Sequence, residues 1–317
     1  MNTMKWLVKR EYWEHKGGFF WAPAVVGAIM TIILAVSLIA AVSLGKQHGM
    51  HINGVQVSTL SDAMSPDDKV QFVNALTGGY IGTGAPLFMV LGFVVFFFSL
   101  GALFDERKDR SVLFWKSLPV SDSATVLSKV AMALVVAPLL SLVFATITAV
   151  AALLFICIAA AMSGLNVFGA VLSSGAVYAA PFEVAAILPV YVLWALPTVG
   201  WLMMVGAWAR TKPFLWAVGV PVLIGALLSW FNAMFDFGWN IEWFWKNIVA
   251  RGLTSVAPGS WFGFVEPLSV GHNEVTSMNL LTDSYRVMGS PNLWIGAVLG
   301  AAMVYVAIRL RRWKDEG

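Results

Sequence analysis

Charge is what this sequence has least of. Only 12% of its 317 residues are Asp, Glu, Lys or Arg, where a soluble domain carries about 25%. With 59% hydrophobic residues and a mean hydropathy of +0.79, a soluble fold of this size could neither hide its apolar side chains nor stay dispersed. That excludes a soluble enzyme, a disordered chain and a nucleic-acid-binding domain, despite a pI near 9.0. Cysteine is nearly absent. Cys157 stands alone in an apolar run, which excludes an intramolecular disulfide framework and a cysteine-based metal cluster. A nucleotide-binding loop is missing too: the only Gly-Lys pair, Gly45-Lys46, has Ala40 where such a loop needs its first Gly and Gln47 where it needs Ser or Thr. What remains is an integral membrane protein.

A hydrocarbon core takes about 20 apolar residues per helix. Uncharged stretches at 19–44, 86–104, 130–162, 184–208, 213–235 and 292–308 predict six spans, hence an all-α, polytopic membrane helix bundle forming one transmembrane domain over 1–317. Leu165 to Phe182 is apolar enough to suggest a seventh. The placement of Lys and Arg decides against it, because cytoplasmic loops carry the excess of positive charge. Six spans with both termini cytoplasmic put 15 of the 20 Lys and Arg inside, leaving Lys46, Lys69, Lys246, Arg251 and Arg286 outside; seven spans would give 12 against 8. Leu165 to Phe182 is then an external loop or a re-entrant piece whose backbone protein must bury. The apolar run after Lys16 is too long for a cleavable signal, so it should stay as an anchor in the cell (inner or plasma) membrane.

Residues 1–18 put Met4, Val8 and Tyr12 on one helical stripe with Trp6 and Trp13 beside it, which predicts a helix lying in the headgroup plane. The external loop before span 2 contains His48, Met50 and His51; two His three apart in a polar loop read as solvated side chains rather than as metal ligands. The external segment 236–291 is rich in rings (Trp239, Trp243, Phe244, Trp245, Trp261, Phe262 and Phe264), predicting short helices dipping into the outer leaflet as an aromatic belt.

Segment 105–129 carries the most information. Charges of both signs (Glu106, Arg107, Asp109, Arg110) leave the membrane, then Val112, Leu113, Phe114, Trp115 and Leu118 follow at helix-like spacing. Pro119 ends that turn, and Ser121 or Asp122 can cap the next helix. A short helix with an apolar knob and a charged side fits a docking element for a soluble partner or, equally on these grounds, a helix lying on the inner leaflet.

This segment resembles the coupling region of ABC-2 type transporter permeases. The resemblance rests on Glu106-Arg107, on Leu118-Pro119-Val120-Ser121 and on Ser128-Lys129 opening span 3, about 25 residues; the six-span layout extends it to the whole chain. One departure is Arg110-Ser111, where that family commonly shows Gly-Thr. The resemblance implies a transmembrane subunit without chemistry or cofactor of its own. ATP and Mg would sit on a separate ATP-binding subunit present in two copies, and a second permease copy or homologue would complete the pore. It implies export of a hydrophobic or amphipathic substrate. In this chain Glu106, Arg107, Asp109, Arg110, Phe114, Trp115, Leu118 and Pro119 would form the coupling helix seated on the ATPase.

Two rival classes follow from the residues. Intramembrane catalysis or proton transport needs ionisable groups at mid-depth, and the six predicted spans contain no Asp, Glu, Lys, Arg or His. Ser and Thr do occur there (Ser37, Ser99, Thr148 and others), where such hydroxyls bond back to the helix more often than they attack. Glu183, beside Pro181 and just outside span 4, is expected to be exposed, in a structural or gating role. The other rival is a non-transporting membrane scaffold or assembly factor, which needs no gate.

Overall fold

The computed structural model describes residues 3–48, 50–52, 55–57, 61, 64–109, 120–264 and 276–314, and they form a helical bundle. Among the described residues six helical runs are long and apolar enough to cross a membrane: Gly17–Leu44, Pro66–Lys108, Asp122–Met162, Gly175–Trp208, Leu215–Phe235 and Pro291–Trp313, here spans 1 to 6. Spans 2, 3 and 4 begin earlier than hydropathy alone predicts. A run of 43 residues such as span 2 measures about 65 Å, twice the hydrocarbon thickness. Only its apolar helix Ala85–Gly101 needs to lie in lipid; the charged piece Phe104–Lys108, set off by a turn at Ala102 and Leu103, lies beyond it.

The helix starts follow from local chemistry. Pro66–Gly79 opens with a capping box, in which Asp68 N donates to Ser65 Oγ and Ser65 N to Asp68 Oδ2, and with Pro66 in its first turn. Ser121, one of the two expected caps, accepts from Ala124 N at 3.2 Å and starts Asp122–Ala131. Of the four π-helical turns among the described residues, three, Gly17–Trp21, Met132–Val136 and Leu215–Gly219, end two residues before a proline (Pro23, Pro138 and Pro221). A proline removes one backbone donor and its ring collides with the preceding turn, so the chain relaxes by widening that turn.

The N-terminal helix Thr3–Glu14 lies on one side of the bundle, called the near face, with residues 105–109 and 120–129, residues 209–212 and the end of span 6. The far face carries two short antiparallel strands (Met50–Ile52 with Val55–Val57), the start of span 2 and residues 236–264 and 276–291. Leu165 to Phe182 is not a seventh span. It folds into Phe168–Ser173 and the first turns of Gly175–Ala185, and Leu165, Val167, Val171 and Ala180 are buried against Tyr80, Leu153 and Cys157.

Span 4 is the centre of the core, with Trp194, Leu202 and Met203 fully buried. Its partner is span 6, and the two backbones nearly touch: a Cβ added at Gly200 would come 2.5 Å from Gly300 O. In lipid the hydrophobic effect does not pull helices together, so such close packing of small residues does. Spans 1 and 5 are peripheral, with Ile29, Ile32, Val36 and Ile39 on the first and Leu223, Leu227, Trp230 and Met234 on the second exposed.

Candidate functional site: a buried ion cluster and a cationic cavity

Helix Asp122–Ala131 turns Thr125, Val126 and Lys129 inward, and the N-terminal helix turns Leu7 and Glu11 inward. These two faces meet on the near face of the bundle. Lys129 Nζ donates to Glu11 Oε2 at 2.9 Å and lies 3.0 Å from Glu106 Oε1, with the Lys129 and Glu11 side chains 1% and 0% exposed. Arg10 pairs with its neighbour Glu11 and reaches Glu106 at 3.3 Å and the more exposed Glu14 at 3.4 Å. Arg311, near the end of span 6, closes the set with 2.5 Å to Glu106 Oε2 and 3.2 Å to Asp122 Oδ1.

Arg10, Lys129 and Arg311 thus balance Glu11, Glu106 and Asp122 in one network, which is what lets charges leave water at acceptable cost. Burial alone would raise the Glu106 pKa; Lys129 and Arg311 outweigh it and hold the carboxyl below its usual value, so it is ionised at neutral pH. Four pieces of chain distant in sequence are tied here: the N-terminal helix, the end of span 2, the start of span 3 and the end of span 6.

The expected coupling residues divide. Glu106 does not project toward a partner: it is the hub of the cluster, its side chain 11% exposed. Arg107 also turns inward, donating to Gly206 O at 2.6 Å and Ala209 O at 2.7 Å, the carbonyls at the end of span 4, where a cation complements the helix dipole. Asp109 is exposed and ends the helix Phe104–Lys108. Arg110, Phe114, Trp115, Leu118 and Pro119 lie outside the described residues. Glu106 and Arg107, expected in the coupling helix, are thus already engaged by neighbouring helix ends.

Of the interfacial aromatics, Trp6 and Trp13 are exposed, and Lys16 Nζ sits 5.1 Å above the Trp13 ring. Tyr12 instead packs against the core, as Val8 does. Glu183 is not the exposed group expected: it is half-buried and its Oε2 accepts from Ser277 Oγ at 2.6 Å, tying span 4 to the far-face helix Ser277–Arg286. The side chains of His48, Met50 and His51 are outside what the structure describes.

The far-face rings split as well. Trp239 and Trp243 are exposed, whereas Trp261 is buried and donates from Nε1 to Ser284 Oγ. This folds segment 236–264 back into the bundle and carries Arg251 with it. Arg251, a loop charge by sequence, is 7% exposed. Its guanidinium lies 4.5 Å from the centre of the Trp194 ring, and its Nη2 donates to Asn292 O. Its Nε has no partner, and no carboxylate pairs with it among the described residues. Burial lowers its pKa from the ordinary arginine value. Arg251 lines a cavity of about 380 Å³ whose other walls are nearly all apolar, among them Trp201, Pro221, Ile295, Leu299 and Met303.

Sequence reasoning missed Glu11, Asp122 and Arg311 as site residues because each looks like an ordinary flanking charge. The one available signal was Lys129, a cation standing directly before the uncharged run 130–162. Comparison with family models, with curated proteins and with solved structures finds no match to this chain.

Proposed function

We propose that this membrane protein is the transmembrane subunit of an ATP-driven ABC transporter of the ABC-2 type, with its near face cytoplasmic. In that reading it exports a hydrophobic or amphipathic substrate from the cell membrane. ATP and Mg are handled by two copies of a separate ATP-binding subunit, and a second permease copy completes the pathway. The observation that carries the proposal is the anchoring of segment 105–129 at both its ends. Glu106 precedes the segment's central residues, Asp122 and Lys129 follow them, and all three join one ion network with the N-terminal helix and span 6. A push on the residues between would be delivered to four helix ends as one body, while Arg107 passes it to span 4. ATP can bias a pore only by favouring one of two arrangements, and a rigid foot of this kind transmits such a preference.

The second copy finds support in span 2. It is otherwise well buried, yet Met89, Phe93 and Phe97 form an exposed strip along one side. Gly18 of span 1 approaches Val94, and Phe214 at the start of span 5 stacks on Phe97 at 6.4 Å, so both peripheral spans border that strip.

The test is purification of the chain from its native membrane in mild detergent, followed by mass spectrometry of what accompanies it. A subunit bearing a Gly-x-x-x-x-Gly-Lys-Ser/Thr loop is expected with the wild type. The Phe114→Ala/Trp115→Ala variant is expected to lose it by about tenfold or more, since apolar anchors dominate such docking, with an unchanged unfolding midpoint. Glu106 is left intact, because its reversal would disrupt the cluster rather than the docking. Wild-type chain without any such ATPase would point to a scaffold, and equal recovery with the variant would remove the docking role.

A further inference from the structure

We propose that the cavity beside Arg251 is a binding site for an anionic amphiphile, with Arg251 holding the anionic headgroup and the walls of spans 4, 5 and 6 holding the acyl chain. Three observations converge. Arg251 is more than nine-tenths buried and has an unpartnered Nε, so among the described residues a buried positive charge stands without a counter-charge at the cavity wall. An uncompensated buried cation is costly and is relieved by a ligand anion.

The cavity also has the dimensions of a lipid tail. Along span 6 it runs from Asn292 to Met303, about 16 Å of helix, which is about half the hydrocarbon thickness and so the depth of one leaflet. Finally, its mouth is polar where its body is not. A second cavity of about 360 Å³ shares Trp243, Asn247 and Asn292 with it and adds Asn240, Glu242 and Lys246. Headgroup and tail environments are therefore stacked in the order that a lipid of the far-face leaflet presents them. Free inorganic phosphate would use Arg251 and leave the 380 Å³ apolar chamber unexplained.

This gives the cargo of the proposed transporter a chemical class, and to that extent it rests on that reading. Binding needs no ATPase, so the two can fail separately. The purified chain in detergent is titrated with dioleoyl phosphatidate and with dioleoyl phosphatidylcholine, bound lipid being counted by native mass spectrometry. Phosphatidate is expected to bind the wild type about tenfold more tightly, as a charge-assisted hydrogen bond pair allows. Arg251→Gln should bring the ratio to about one, and Arg251→Lys should retain part of it. Leu299→Trp, which fills the chamber without touching the charge, should lower phosphatidate binding as well and decides the matter if Arg251→Gln fails to fold. Equal binding of the two lipids by the wild type overturns the proposal. So does full retention in Leu299→Trp, or displacement of phosphatidate by millimolar inorganic phosphate, which would mark a site for the free anion.

Discussion

Lys129→Met is expected to destabilise the detergent-solubilised protein by about 3 kcal/mol, the usual cost of leaving a buried ion-pair partner uncompensated. Lys129 is 1% exposed and faces both Glu11 and Glu106, so its loss leaves two carboxylates competing for Arg10 and Arg311. Replacing both partners separates charge from shape. In Glu11→Met/Lys129→Met the pair is removed together; Glu106 keeps Arg10 and Arg311, and Arg10 keeps Glu106 and Glu14. Well-packed apolar replacements of a buried pair are often neutral, so the double variant is expected within about 1 kcal/mol of wild type. Denaturant titration in mixed micelles measures both. A double variant no more stable than Lys129→Met would show that the two residues do not act as a pair. In membranes containing the proposed ATPase, the double variant should also lower transport per ATP hydrolysed, because the start of span 3 loses its ionic tie to the N-terminal helix.

Gly300→Ala tests the other structural commitment. A Cβ there would come within 2.6 Å of Leu196 C and Pro197 N and 2.7 Å of Leu196 O, all backbone atoms of span 4 that cannot rotate away. Spans 4 and 6 must separate to admit one methyl group. The expected loss is about 2–3 kcal/mol, at the upper end for overpacking. Gly219→Ala is the control. It has no neighbour within 4 Å of the added atom, and removing a helical glycine should leave stability unchanged or raise it by up to about 1 kcal/mol. Unfolding midpoints that fall equally for both would mean that glycine flexibility, rather than the helix crossing, is at stake.

The ion cluster lies at the near end of span 4 and the Arg251 cavity against its middle, at Pro197 and Trp201. Arg107 holds the near end through Gly206 O and Ala209 O, and Trp194 carries the Arg251 guanidinium. The Leu188–Trp208 part of span 4 is also densely buried and is locked to span 6 at Gly200 and Gly300. A displacement entering at the near face would thus reach the cavity wall through a single packed element. That is the physical basis for joining the two proposals.

By itself the sequence determined that the chain lives in lipid, that it is helical, and how many times it can cross. Those properties follow from local composition, since a helix satisfies its own backbone and its solvent reads each apolar run independently. Ser121 as a cap was legible for the same reason. Only the tertiary structure decided what the isolated charges do. Glu11 meets Lys129 across 118 positions and Arg311 meets Glu106 across 205, and no pattern along a chain encodes which helix ends converge. Arg251 shows the same limit from the other direction. Counted along the chain it is an external loop charge, but folding segment 236–264 onto Trp194, with its own Trp261 buried, carries it into the bundle, because the burial of these rings outweighs the preference of one guanidinium for water.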